Sequence, residues 1–207
     1  MFGSVRYNAS NMLTVLKPVV EKALQPVARL LKNVSPNAIS LLGLLFPVLF
    51  FLCVMHKLYA LALVVFIFNG VDLLDGMVAR ATGKVTAFGG FLDSTIDRFA
   101  DFTVIAAFGF AGIVGWNVIV PLLLFSFLIS YIRSRIELAA QGKISAAVGL
   151  VERTERLLTI FVALLLYMIF PHVTLWNLNL AELAMIILTV LSAYTVGQRV
   201  QFAYKKL

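Results

Sequence analysis

Six stretches of this chain, 39–55, 58–79, 91–114, 118–136, 157–170 and 178–196, are predominantly apolar. A helix needs about 20 such residues to cross the hydrocarbon of a bilayer, so each stretch predicts one span, the fifth being the shortest. With 61% hydrophobic and 13% charged residues and a mean hydropathy of +0.98, a soluble globule of this size would carry more apolar surface than it could bury. The expected fold class is therefore all-α and integral to the membrane, with six transmembrane helices in a domain over 35–207.

Ahead of the spans, Leu13, Leu16, Val20, Leu24, Val27 and Leu31 recur at helical spacing, with Lys17, Glu21, Gln25, Arg29 and Lys32 between them. That pattern predicts an amphipathic helix lying in the membrane interface over residues 1–34. Pro18 fits its first turn and Pro26 kinks it. Ser35-Pro36-Asn37 then reads as a stop, with Ser35 placed to cap the first span.

The charges supply the orientation. Basic residues from Arg6 to Lys206 gather at one end of the spans, with Lys57 alone at the other. The excess of Lys and Arg on cytoplasmic loops makes that end cytoplasmic, with both termini on the same side of the cell membrane. The net charge of +7 is then a topology signal, and nucleic acid is not expected as a partner. The single cysteine, Cys53, excludes an internal disulfide framework, and no removable signal peptide is expected at the N-terminus. His56 and His172 fall at the opposite, outer ends, where no chemistry is expected.

Chemistry is expected where the second and third spans meet. Asp72 and Asp75 stand near the end of one, and Asp93, Asp97 and Asp101 near the start of the other. At 100° per residue, Asp72, Gly76 and Ala79 share a stripe with Asp75 about 60° away, and the i, i+4, i+8 spacing stacks the other three acids on one face. An unpaired carboxylate in an apolar helix costs several kcal/mol. The nearby cations, Arg80, Lys84 and Arg98, are too few to balance five acids, whereas hard divalent cations take oxygen ligands of this kind.

The segment reads Asp72-x2-Asp75-Gly76-x2-Ala79-Arg80-x8-Gly89-x3-Asp93-x3-Asp97. It resembles the signature of the CDP-alcohol phosphatidyltransferase family, and every one of its eight specified positions is filled. The resemblance implies a six-helical, homodimeric enzyme. It implies that Asp72, Asp75, Asp93 and Asp97 hold two Mg²⁺ ions, or Mn²⁺ in their place, and that Asp97 also takes the proton of the attacking hydroxyl. It implies as well that Asp72, Asp75, Gly76, Ala79, Arg80 and Gly89 bind the CDP-activated lipid donor. The small Gly76 and Ala79 would let a nucleotide lie against the backbone, and Arg80 would meet a phosphate. Asp101, outside the signature, is expected to support the site by hydrogen bonding.

The acceptor must be read elsewhere. Ser130-Tyr131-Ile132-Arg133-Ser134-Arg135, then Lys143, then Gly149-Leu150-Val151-Glu152-Arg153-Thr154-Glu155-Arg156 bring basic residues to the same end. Glu152 and Glu155 alternate with Arg153 and Arg156 and are expected to hold the guanidiniums in place. With Arg199, these make Arg133, Arg135, Lys143, Arg153, Arg156 and Arg199 the expected pocket for a phosphorylated polyol. These segments resemble the phosphatidylinositol-phosphate synthase branch of the family and its archaeal counterparts, which implies inositol 1-phosphate as acceptor and CDP-diacylglycerol or CDP-archaeol as donor. Phosphatidylglycerophosphate synthesis is the nearest alternative. Divalent-cation transport is a remote one, because beyond Asp101 the third span carries no further charge.

Overall fold

The computed structural model describes residues 25–26, 34–68 and 72–207, the side chains of 72–75 excepted. Gln25 and Pro26 are helical and exposed; the rest of the amphipathic helix expected before residue 34 lies outside the described residues. The chain then forms α1 (Pro36–Gly43), α2 (Leu45–Met55), α3 (Tyr59–Ile67), α4 (Asp72–Thr82), α5 (Ala87–Phe110), α6 (Trp116–Ala139), α7 (Arg153–Ile169) and α8 (Leu180–Lys206). Among the described residues, Pro36–Met55, Trp116–Ala139 and Leu180–Lys206 are long and apolar enough to cross a membrane. The protein is a helical membrane protein.

The first two expected spans are each divided. Ser35 caps α1 as expected, its Oγ accepting from Ala38 N at 3.3 Å, with Pro36 in the first turn. The helix closes at Gly43 and restarts at Leu45. Pro47 has no N–H to give the Gly43 carbonyl and its ring crowds that group. In the second stretch α3 ends at Ile67 and α4 begins at Asp72; Asn69 and Gly70, both poor helix formers, stand between them in the sequence. The third helix begins at Ala87, ahead of the expected 91, because Thr86 caps it: Thr86 Oγ1 accepts from Gly89 N at 3.0 Å.

A small departure from an all-helical chain lies between α7 and α8. There β1 (Thr174–Leu175) pairs antiparallel with β2 (Leu178–Asn179). The turn puts Trp176 and Asn177 at φ of 54° and 64°, the backbone of a two-residue hairpin. Asn179 then caps α8 by accepting from Glu182 N, while its Nδ2 donates to the Ile113 carbonyl.

The core is an apolar seam shared by α2, α3, α5, α6, α7 and α8. Phe50 of α2 is fully buried and meets Phe66 edge-on and Phe108 at a tilt. α6 packs along α8, α2 along α5 and α7 along α8, while short α1 rests on both α4 and α5.

The connection from α6 to α7 is laid onto α8. Val151 N donates to Thr195 Oγ1 at 3.1 Å, Leu150 N donates to Gln198 Oε1 at 3.2 Å, and Arg199 Nε donates to the Val148 carbonyl at 2.8 Å. Arg199 also donates to the Ile129 carbonyl of α6 and lies 3.7 Å from Glu152 Oε1. Gly149 is required in this connection: its φ is 127°, and a Cβ there would collide with Thr195. Arg199, 1% exposed, thus ties α6, the connection and the start of α7 to α8.

Removing one side of a buried charged contact costs roughly 3 to 5 kcal/mol. Arg199→Gln is expected to lower the thermal unfolding temperature of the detergent-purified protein accordingly, and Arg199→Lys to lower it less. A midpoint unchanged by Arg199→Gln would contradict the clamp.

Candidate active site

Two features occupy the end of the bundle where α1, α4 and the start of α5 meet. The first is a cavity of about 260 Å³. Gly76, Ala79 and Arg80 of α4 line one side, Gly89, Gly90 and Asp93 of α5 another, and Pro36, Asn37 and Ser40 of α1 a third, with Lys84, Val85 and Thr86 from the turn. Five of the residues expected around the donor and the metals, Gly76, Ala79, Arg80, Gly89 and Asp93, are therefore brought to one space. A Cβ on Gly89 would stand 3.1 Å from Thr86 Oγ1 and 3.4 Å from Asn37 Oδ1, so a larger residue there would crowd both side chains. Arg80 lies over Gly76, its Nη1 3.2 Å from where a Cβ would be.

The second feature is a cluster of charge one turn further along α5. Asp97 Oδ1 lies 2.7 Å from Arg153 Nη1, and Asp97 Oδ2 lies 3.3 Å from Arg98 Nη2. Asp101 pairs with Arg156 through Oδ2, has Arg153 Nε 3.6 Å from its Oδ1, and meets Arg98 Nε at 4.0 Å. Asp101 and Arg156 are 4% and 1% exposed. Asp101 is hydrogen-bonded across the bundle, by Arg156.

These contacts revise how the acids are balanced. Part of the positive charge for α5 comes from α7, across the bundle, rather than from Arg80 and Lys84 alone. The expected pairing within 152–156 is also different. Glu155 and Glu152 form a capping box at the start of α7, with Glu152 N donating to Glu155 Oε2 at 3.1 Å. Their arginine neighbours are thereby released to reach Asp97 and Asp101, while Glu152 faces Arg199.

The remaining basic residues are spread out. Arg133 pairs with Glu137 at 3.1 Å, and Glu137 also accepts from Ala146 N. Arg199 is in electrostatic range of Arg133, Arg156, Glu152 and Glu137. Arg135 and Lys143 are exposed, and among the described contacts neither joins the aspartates.

Asp72 and Asp75 lie in α4, but their side chains are outside the described set, and among the described residues no three carboxylate, imidazole or thiol groups converge. The donor chemistry nevertheless suits a hard divalent cation. Five carboxylates are distributed over α4 and α5, and Asp93 faces the cavity.

Residues 33–196 match the model of the family described as CDP-alcohol phosphatidyltransferase. The chain belongs to that family. As a CDP-alcohol phosphatidyltransferase it is an enzyme of phospholipid biosynthesis. It is 36% identical to the archaetidylinositol phosphate synthase of Pyrococcus horikoshii over 95% of this chain and 98% of that one. It is 34% identical to the phosphatidylinositol phosphate synthase of Cutibacterium acnes over 86% and 90%. The fold matches the crystal structure of the Mycobacterium tuberculosis phosphatidylinositol phosphate synthase with CDP-DAG bound, at a TM-score of 0.73 and 31% identity, covering 86% of this chain and 92% of that one. A structure of the same protein in complex with manganese and citrate superposes equally, with a TM-score of 0.73 and 31% identity over 86% and 88%.

Pro36, Asn37 and Ser40 enter this phosphatidyltransferase site without a signal of their own, since Ser35-Pro36-Asn37 reads in the sequence only as a helix start. Thr195 and Gln198, which hold the connection before α7, are likewise hidden on an apolar helix.

The Asp101–Arg156 pair has a checkable consequence. Asp101→Leu or Arg156→Met alone is expected to destabilise strongly, whereas the double variant Asp101→Leu, Arg156→Met recovers part of the loss. A thermodynamic cycle from thermal or denaturant unfolding should give a coupling of about 0.5 to 3 kcal/mol. Additive effects would mean the pair contributes no mutual energy.

Proposed function

We propose that the protein transfers the phosphatidyl-type group of a CDP-activated lipid, CDP-diacylglycerol or CDP-archaeol, to inositol 1-phosphate, releasing CMP. The observation that carries this reading is the cavity bounded by Gly76, Ala79, Arg80, Gly89 and Asp93, which adjoins the arginine-lined face of α5. The inositol-phosphate acceptor is supported by the relatives named above.

The donor nucleotide occupies the cavity, where the glycines leave helix backbone bare, and Arg80 and Lys84 face its phosphates. Asp72, Asp75, Asp93 and Asp97 would hold two divalent cations, Mg²⁺ or Mn²⁺, which supply neutralisation of the diphosphate charge. The acceptor hydroxyl loses its proton to Asp97 as its oxygen bonds the phosphorus that carries the lipid. The bond from that phosphorus to the bridging oxygen breaks, and its electron pair leaves with CMP. Arg153 and Arg133, which keep exposed surface, contact the acceptor phosphate. Arg156 and Arg199, enclosed by protein, hold the walls and add positive charge, and exposed Arg135 and Lys143 attract the dianion from solution.

In this reading six membrane crossings are made by α1–α2, α3–α4, α5, α6, α7 and α8, with the site and both termini cytoplasmic and the protein a homodimer. Ion transport receives no support from α5, whose buried positions beyond Asp101, from Val104 to Gly109, are all apolar or glycine.

Purified protein supplied with the CDP-lipid and a panel of acceptors tests the assignment through CMP release. Inositol 1-phosphate is expected to give the highest kcat/KM, and a preference for glycerol 3-phosphate would reassign the enzyme to phosphatidylglycerophosphate synthesis. Asp72→Asn and Asp93→Asn should each abolish turnover and weaken divalent-metal binding measured by calorimetry, because each removes a ligand charge. Asp97→Asn should suppress kcat while leaving donor affinity largely intact; parallel collapse of both would make Asp97 chiefly a metal ligand.

A further inference from the structure

The hairpin between α7 and α8 is held at the end of the bundle away from the candidate site. Asn179 Nδ2 donates to the Ile113 carbonyl at 2.7 Å, and Glu182 Oε1 accepts from Gly115 N at 3.2 Å. Both contacts fix the base of the hairpin against the link from α5 to α6. Along α5, the end that leads into this link lies about 25 Å of helix beyond Asp93. The hairpin is therefore level with the first turns of α6 and α8, two of the helices long and apolar enough to cross a membrane.

Its side chains are unsuited to water. Residues 170–180 read FPHVTLWNLNL, with no acid, lysine or arginine. Phe170, Val173 and Leu175 are 46 to 49% exposed, and Trp176 at the tip is 80% exposed. Facing water, they would form an uncovered apolar patch. Its backbone is equally unsuited to hydrocarbon. β1 and β2 make a two-stranded sheet, so each strand has an edge with no strand beside it, and open edges of that kind are not found facing lipid chains. The headgroup layer meets both demands, being wet enough for peptide groups and apolar enough for an indole.

The surroundings agree with that placement. Trp116, which opens α6, is 44% exposed and lies edge-on to Phe110 with ring centroids 5.0 Å apart, so both tryptophans of the chain stand at this end. Ile169, Ile187 and Val190 of the flanking helices are 53 to 63% exposed, which makes the hairpin continuous with a lipid-facing surface.

We infer that the 174–179 hairpin docks into the headgroup layer of the leaflet farther from the candidate site, with Trp176 as its inserted side chain, and so fixes the depth of the adjoining ends of α7 and α8. Because the segment carries no charge, its partner is the neutral lipid interface and not an anionic headgroup.

Depth-dependent quenching tests this on the full-length protein. It is reconstituted into phosphatidylcholine vesicles brominated either near the ester or near the methyl end of the acyl chain, bromine being a quencher of nearby indoles. Trp116 and Trp176 are the only tryptophans, so the emission lost in Trp176→Phe is that of Trp176. This emission is expected to be blue-shifted from that of tryptophan in water, and to lose most of its intensity to the shallow bromine and much less to the deep one. Replacing part of the lipid by phosphatidylglycerol should alter neither result. Emission indifferent to both bromines, or quenched more by the deep one, overturns the inference. So does quenching that appears only with the anionic lipid, or that weakens as the protein-to-lipid ratio rises, since a second copy would then be covering the hairpin. Should Trp176→Phe fail to accumulate, Trp116→Phe leaves Trp176 as the sole tryptophan and the same comparisons are read from it directly.

Discussion

The buried pairing of Asp101 with Arg156 is the contact on which the rest of the site depends. Neither charge could stand alone in an apolar bundle, since an unpaired buried ion costs several kcal/mol even after relaxation. Arg156 is held there by Asp101, which Arg153 and Arg98 also approach. The pair joins α5 to α7 at a defined register, and in an apolar seam, where many registers would bury similar area, a polar contact of this kind can select one. Once Arg156 is seated, helical geometry puts Arg153 about one turn earlier on α7 and Asp97 one turn earlier on α5, and these two also meet. Asp97 is thus positioned by a contact one turn away, between Asp101 and Arg156.

That register is set from a third helix as well. Thr195, Gln198 and Arg199 of α8 accept from or donate to the connection before α7, and the Glu152–Glu155 capping box starts α7 where that connection ends. Capping satisfies amide groups that would otherwise be orphaned at the helix end. It also engages the acids that might have neutralised Arg153 and Arg156 locally. Segregating the charges in this way leaves α7 with two arginines directed outward from its own acids and toward α5.

Much of this could be read before the structure, and the rest could not for identifiable reasons. Hydropathy located the apolar stretches because lipid imposes a simple length and polarity requirement. The aspartate spacing identified the family because eight residues at fixed gaps carry chemistry that tolerates little change. Helix ends were less readable: Pro47 divides the first stretch and Thr86 starts α5 early, effects of single residues that an averaged hydropathy pattern does not resolve. Pairing was least readable of all. Glu152 and Glu155 stand beside Arg153 and Arg156 in the chain, and i+3 spacing suggested local ion pairs, yet the capping box claims one acid and Arg199 faces the other. Which cation neutralises Asp101 is a tertiary fact, set by where α7, packed on α3 and α8, stands across from α5, and no local spacing contains it.

The interruption near Pro47 has a structural use beyond a kink. An unbroken first helix would carry its Pro36 end along the direction set by the core, where Phe50 anchors α2 against α3 and α5. The eight-residue α1 rests on α4 and α5. The cavity lies where these two short helices and the start of α5 converge, and its walls are made of small residues, Gly76, Ala79, Gly89 and Gly90. Long helices packed ridge into groove along a common core leave few voids of this size. The cavity therefore follows from the meeting of short helices and from their small residues, at one end of an otherwise apolar bundle.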